Sequence, residues 1–193
     1  MRPDTHTMRA KDTPRDFLRN SEFNPKRAET EFPNARRLTF GGLFVSHSGV
    51  DTVPIRERII LPVVFGRLPA DGCFMHSGGS GGADSYKRLV QAALHWCDKF
   101  MVAISRHAVQ NEWVRAEVEW ALEQRRPILV ARLDEFGWLD LIAEIKLASQ
   151  VRPDDRPPEF DFNSDVKLAQ KGFATALDEL LIRFPRGGRE RLE

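Results

Sequence analysis

Trp113 and Glu117 have the side-chain types and the spacing of residues that could act together in a chemical site. They stand four positions apart in NEWVRAEVEWALEQRR, a segment whose apolar residues recur with the period of a helix. At about 100° per residue, Glu117 falls about 40° from Trp113 and inside the apolar arc, whereas the other charges of the first three turns point away. A carboxylate there could stabilise a cationic reacting centre, and an aromatic face could hold a cationic ring.

The helical pattern alone also allows a simpler interpretation. Carboxylates at the shoulder of a buried helix face are common, and a tryptophan is more often part of the core than a stacking surface. A site is favoured by the position of the helix, whose N-terminal part should lie at the edge of the sheet where polar residues end the first three strands. These polar residues are Ser46, His47 and Ser48, then His76 and Ser77, then Ser105, Arg106 and His107.

Strands and helices are predicted to alternate along the ordered part of the chain, which favours a parallel sheet covered on both faces. Five strands with short connections predict an α/β, flavodoxin-like three-layer sandwich. A helix is also expected over DTVPIRERIILPVVFGRL, with a kink or break at Pro62. The strand segments are LFV, CFM, KFMVAIS, PILVARL and a short run within VRPDDRPPEFDF, and the later helices are SYKRLVQAALHWCD, NEWVRAEVEWALEQRR, GWLDLIAEIKLAS and DVKLAQKGFATALDELLIRF.

The composition excludes several classes of protein. The chain has 193 residues, 41% hydrophobic and 30% charged, as in a soluble globular domain with an extension. Its net charge of +1 provides no bulk attraction to nucleic acid or membranes, and its longest apolar run, IILPVVF, is too short to span a bilayer. Cys73 and Cys97 are too few for a disulfide scaffold or a closed zinc site. Because the N-terminal residues also do not resemble an export or transit signal, we expect a cytoplasmic protein.

The chain divides into three parts by its pattern. Residues 1–37 are punctuated by prolines and predict an irregular N-terminal extension, with one or two helical turns at most in DFLRNSEF. This extension could be a flexible or surface-draped arm, or a segment that binds a partner. Residues 38–186 are expected to form the domain, and residues 187–193 a C-terminal tail.

Several motifs together resemble the TIR domain (Toll/interleukin-1 receptor-like), over about residues 40–184. FVSHSGVD is similar to the end of the first strand in bacterial TIR proteins, which also place an aspartate a few residues on, here Asp51. A Gly-rich loop follows the second strand, and Trp113 and Glu117 match the W-x-x-x-E motif within VAISRHAVQNEWVRAEVEWAL. PILVARLD completes the series. Each motif alone is weak, but their order and spacing together are specific.

The resemblance implies an activity. Many TIR domains cleave NAD+ and release nicotinamide and a linear or cyclic ADP-ribose, and we expect this chain to do so in bacterial anti-phage defence signalling or NAD depletion. The catalytic glutamate of the family corresponds to Glu117, and the tryptophan that lines the nicotinamide end corresponds to Trp113. The rest of the substrate-binding cleft corresponds to Ser46, His47 and Ser48 and, more loosely, to Ser77 and Gly78.

The implied reaction needs few groups. Nicotinamide leaves a cationic ring as a neutral molecule, so the difficult species is the oxocarbenium ion of the ribose, which one carboxylate can stabilise. We therefore expect no cofactor and no metal, with NAD+ as the substrate. His47, His76 and His107 could suggest a metal site, but histidines that hydrogen-bond at a polar edge are more common. The glycine pattern of a dinucleotide-binding dehydrogenase is not placed correctly in this chain.

The segment FMHSGGSGG departs from the family pattern. The family often has an acidic residue near the end of the second strand, where this chain has Met75 and His76. The Gly-rich loop fits a surface loop and a segment that touches the substrate equally well. Since activity in the family usually depends on self-association, we expect other TIR domains as partners, together with a potential regulatory protein, but neither a membrane nor nucleic acid directly.

Two alternatives to this enzyme stay open. The chain could be a scaffold that only binds other TIR domains, or a glycosidase of related fold that processes nucleosides rather than NAD+. The presence of both Trp113 and Glu117 favours an enzyme, whereas the atypical loop favours a scaffold.

Overall fold

A single parallel sheet organises the protein. The computed structural model describes residues 13–19, 23–34, 41–68, 72–75, 84–145 and 156–184. The strand order is β2-β1-β3-β4-β5 and every neighbouring pair is parallel, which confirms the expected flavodoxin-like fold. The strands are β1 (Leu43–Ser46), β2 (Cys73–Met75), β3 (Lys99–Ile104), β4 (Ile128–Arg132) and β5 (Glu159–Asp161).

Helices cover both faces of this sheet. Those of the described residues are α1 (Pro14–Leu18), α2 (Pro25–Glu31), α3 (Thr52–Ile55, continued by π-helical Arg56–Val64), α4 (Asp84–Trp96), α5 (Arg106–Gln110), α6 (Glu112–Glu123), α7 (Trp138–Glu144) and α8 (Val166–Arg183). Within the same ranges, none of these helices is both long and apolar enough to cross a membrane.

The central strands are apolar on both faces because a helical layer covers each of them. Phe44 and Phe100 are register partners in β1 and β3, and their rings stack with centroids 5.5 Å apart on the α4–α6 face. Val45 and Met101 alternate with them and pack against α3 and α8 on the other face. A strand buried on both sides is a continuous apolar run, which is the pattern that predicted β1 and β3.

A kink or break was expected at Pro62, but the helix α3 does not break there. It changes to π-helical winding at Arg56 and continues through the proline. In π-helical winding the amide of residue 62 would bond the carbonyl of Glu57, five residues earlier, and a proline has no such donor. Gln170 Nε2, on α8, donates to the adjacent Arg58 carbonyl at 2.8 Å, so a neighbouring helix is bonded to α3 beside the proline.

The N-terminal extension is more regular than the sequence pattern indicated. Thr13 and Asp16 form a capping box at the start of α1, and Asn24 caps α2 through hydrogen bonds from two backbone amides. Pro14 and Pro25 follow these caps in the first helical position, where a proline is favourable because its missing amide hydrogen has no helical partner. Two of the prolines interpreted as punctuation therefore start helices.

The described part of this extension packs against the domain. Leu18 is buried in the core beside α6, and Ala28 packs with Ala92 and Trp96 of α4. Phe23 stacks on the ring of His95, with centroids 4.6 Å apart, and the same histidine ring meets Trp120 of α6 edge to face. The extension thus lies across the two helices that follow β2 and precede β4.

The environment of His95 makes this packing sensitive to acid. Burial, together with the nearby Arg126 guanidinium, lowers the pKa of His95 to about 4 from its ordinary value of 6.5. The unfolded chain therefore binds a proton between about pH 6.5 and 4 that the folded chain does not, and stability falls as the pH falls through this window.

We expect His95→Gln to flatten the pH dependence of the free energy of unfolding between pH 6.5 and 4, measured by urea denaturation. His107→Gln is the matched control, because the side chain of His107 is exposed. Equal slopes for the wild type and His95→Gln in this window would contradict the assignment to His95.

Candidate active site

Glu117 is held inside the protein at the carboxyl end of the sheet. The Asn111 side chain caps α6 by accepting hydrogen bonds from the amides of Trp113 and Val114, as the sequence predicted. This start places Trp113 in the first turn and Glu117 one turn later, against β1. The side chain of Glu117 is fully buried, with 0% of its residue surface exposed. It is therefore not a solvent-facing shoulder carboxylate.

Ser46 supplies a hydrogen bond to this buried carboxylate. Its hydroxyl Oγ donates to Glu117 Oε2 at 2.6 Å, from the last position of β1. A buried charge needs such donors because it has lost its water, and a bond to a charged group is stronger than one between neutral groups. The contact ties the centre of the sheet to α6 at the edge where ligands bind in this fold.

Two residues of α4 join the site, and the sequence analysis missed both. Burial and the nearby charge of Glu117 raise the pKa of Tyr86, which places its phenol within electrostatic range of that carboxylate. Lys87 Nζ lies 6.0 Å from the centroid of the Trp113 ring. A signal was present for Tyr86, because it is the single tyrosine in the chain and stands at the start of a predicted helix just after the Gly-rich loop.

Trp113 is half-buried, which lies between the two interpretations of the sequence, a core residue and an exposed stacking surface. Its side chain packs against the core cluster that includes Val114 and Val118 of α6. From the extension, the ring of Phe17 approaches it edge to face, with centroids 6.0 Å apart and an interplanar angle of 65°. Trp113 therefore combines core packing with a partly accessible ring beside Glu117.

His47 and Ser48 continue the chain from Ser46 and are both buried. The Thr52 hydroxyl donates to the Gly49 carbonyl at 2.8 Å, and it lies 3.1 Å from His47 Nε2, from which it can accept. His47 thus stabilises the turn that connects β1 to α3. Its interactions are those of a hydrogen-bonding histidine at a polar edge.

A second buried carboxylate lies at the same edge. Ser105, directly after β3, donates from Oγ to Asp51 Oδ2 at 2.5 Å and caps the short helix α5 by accepting from the Ala108 amide. Burial raises the pKa of Asp51, although the bond from Ser105 acts in the opposite direction. The sequence indicated Ser105 only as a strand end, and α5 was not predicted.

The structure brings together Ser46, Trp113 and Glu117, with His47 and Ser48 adjacent in the chain. Ser77 and Gly78, the other two predicted site residues, lie outside the described residues, as does His76. Across the ranges that are described, no group of three or more His, Cys, Asp or Glu side chains is placed to hold a metal ion.

A cavity of about 420 Å³ lies elsewhere, at the opposite edge of the sheet. Its walls include Ile128 at the start of β4, Leu122 near the end of α6 and Leu180 on α8. It does not contact Ser46, Trp113 or Glu117 and is separate from this site.

A comparison with protein-family models agrees with the sequence motifs. Residues 74–136, about a third of the chain, match the model described as Thoeris protein ThsB, TIR-like domain. The matched segment begins in β2 and ends before α7, and it contains both Trp113 and Glu117. No curated protein and no solved structure gives a significant match to the chain.

We expect Ser46→Ala to lower the free energy of unfolding by about 1–3 kcal/mol, because it removes a donor from a buried charged acceptor. Denaturant unfolding of Ser46→Ala, Glu117→Ala and the double variant forms a double-mutant cycle that isolates this one contact, because each single variant removes one of its two partners. Strict additivity of the two single effects would contradict a stabilising bond between Ser46 and Glu117.

Proposed function

Because the chain carries a bacterial TIR-like domain, we propose that it is an NAD+ glycohydrolase, which cleaves the bond between nicotinamide and ribose. The observation that carries this proposal is the fully buried Glu117 carboxylate, hydrogen-bonded by Ser46 at the carboxyl end of β1 and one helical turn from Trp113. In a doubly wound sheet this edge is where ligands bind.

Glu117 has the catalytic role in this proposal. The glycosidic bond breaks with its electron pair moving to the nicotinamide nitrogen, which becomes neutral, while positive charge develops on the ribose. A carboxylate shielded from water interacts strongly with that charge, and a bond to Ser46 fixes its direction before the reaction begins. Water then adds to the ribose carbon and loses a proton to the solvent to give linear ADP-ribose, or an internal nucleophile of the substrate closes a cyclic product.

Trp113 provides the wall for the leaving group. An aromatic face attracts the cationic nicotinamide ring of the substrate more strongly than the neutral nicotinamide product. His47, Ser48, Ser77 and Gly78 are proposed to line the remainder of the cleft, and the reaction needs no cofactor or metal.

The biological role proposed for this activity is anti-phage defence, by NAD+ depletion or by a signalling nucleotide. Its support is the match to a TIR-like domain of a Thoeris protein. We further propose that the protein acts in the cytoplasm as an assembly with other TIR domains. A neighbouring subunit could then contribute contacts to the segment after β2.

The decisive variant is Glu117→Gln, which keeps the shape of the side chain and removes its charge. We expect NAD+ cleavage to fall on the order of a hundred-fold or more, because loss of one preorganised electrostatic contact has that effect. Chromatography of NAD+ incubated with concentrated protein measures nicotinamide and separates linear from cyclic ADP-ribose. Glu112→Gln is the matched control, since Glu112 is exposed on the same helix.

The same experiment distinguishes the alternatives. Near wild-type turnover by a folded Glu117→Gln protein would refute the catalytic assignment. Cleavage of nucleosides but not of NAD+ would indicate the related glycosidase. Self-association of the wild type without turnover of either substrate would indicate a scaffold.

A further inference from the structure

The ring of Trp113 receives one of its contacts from outside the TIR-like domain. Trp113 is half-buried on the first turn of α6, and the edge-to-face ring beside it belongs to Phe17 of α1. Phe17 precedes the first strand of the domain by more than twenty residues, and it lies outside the segment that matches the family model. The extension therefore reaches the proposed nicotinamide wall.

The backbone of α1 is fixed to α4 at this point. Gln91 Nε2, on α4, donates to the carbonyl oxygen of Phe17 at 3.0 Å, and Gln91 itself is buried. The next residue, Leu18, is 3% exposed and belongs to the core. The backbone that carries the Phe17 ring is thus held by a part-buried hydrogen bond and a buried apolar anchor.

Ion pairs fix α1 to α6 as well. Arg15 donates to Glu119 at 2.5 Å, and Arg19 reaches both Glu119 and Glu123. Only 6% of the Glu119 side chain is exposed, so these arginines compensate a carboxylate that α1 itself covers. Since Glu119 stands two residues after Glu117, α1 is attached to the helix that carries the proposed catalytic group.

We propose that Phe17 is a positioning residue that holds the Trp113 ring in the orientation on which the nicotinamide ring stacks. This inference rests on the proposed function. The terminal torsion of a tryptophan side chain is broad, so a half-buried indole needs a neighbour to select one orientation. An edge-to-face ring provides that selection because its positive edge meets the negative face of the partner. Phe17 acts through Trp113 and not on the reacting atoms.

Quenching of tryptophan fluorescence by acrylamide tests the ring directly. Trp96, Trp120 and Trp138 are each at most 5% exposed, so quenching of the full-length chain reports mainly on Trp113. Phe17→Ala should increase quenching, and the increase should disappear when Trp113 is replaced by phenylalanine. Phe17→Ala should also raise KM for NAD+ roughly three- to ten-fold with a smaller change in kcat. Phe17→Tyr, which keeps the ring edge, should show the quenching and the KM of the wild type.

Phe23→Ala is the matched control. It removes another aromatic contact of the extension, that with His95, without touching Trp113. An equal rise in KM in Phe23→Ala would overturn the proposal, because general loosening of the extension would then account for the effect. Unchanged quenching and KM in Phe17→Ala would also overturn it. If Phe17→Ala fails to fold, Phe17→Leu keeps the apolar volume without the ring edge and replaces it.

A separate measurement distinguishes failure of this inference from failure of the proposed function. If the wild-type chain does not cleave NAD+, the glycohydrolase proposal falls. NAD+ binding, measured through the fluorescence of Trp113, then decides whether Phe17 affects the affinity of the Trp113 ring for NAD+. Weaker binding in Phe17→Ala but not in Phe23→Ala supports the positioning role, and equal binding in all three proteins overturns it.

Discussion

The hydrogen bond from Ser46 to the buried carboxylate of Glu117 is the contact on which the arrangement of the site depends. An ionised group deprived of water is stable only where donors replace its hydration. β1 must therefore end where its last side chain meets α6, and the cap at Asn111 must start α6 in the register that turns Glu117 inward. The parallel pairing of β1 with β3 brings Ser105 to the same edge, where it bonds a second buried carboxylate, Asp51. The burial of one charge thus constrains where β1 ends and where α6 begins.

The fold could be predicted well because its strands are buried on both faces. A continuous apolar run such as that from Leu43 to Val45 is typical of a strand at the centre of a layered sheet, and helices between such runs leave one common strand order. Local chemistry was harder to interpret. A kink or break was expected at Pro62, but the helix continues through it in π-helical winding, and Gln170, more than one hundred residues later, bonds the Arg58 carbonyl beside it. No sequence pattern shows that a distant side chain supplies such a bond.

The site was predicted in part, and the omissions have a common cause. A helical wheel places Glu117 inside the apolar arc, but it treats the outer arc as solvent. Glu119 was assigned to that arc and is nevertheless buried, because α1 packs over it and supplies Arg15. Tyr86 and Lys87 were missed because they approach the site from the start of another helix rather than from a strand end. Each omission is a contact between elements distant in sequence, which periodicity does not encode.

The cover that α1 and α2 provide affects where the chain can be divided. A fragment beginning at β1 would match the apparent limits of the domain, but it would uncover aromatic surface around His95 and Trp113. Glu119 and Glu123, four residues apart on α6, would lose Arg15 and Arg19 and repel each other. Uncovered apolar surface of this kind promotes association between copies. Light scattering from such a shortened protein would report adhesion through an artificial surface that the longer chain keeps covered.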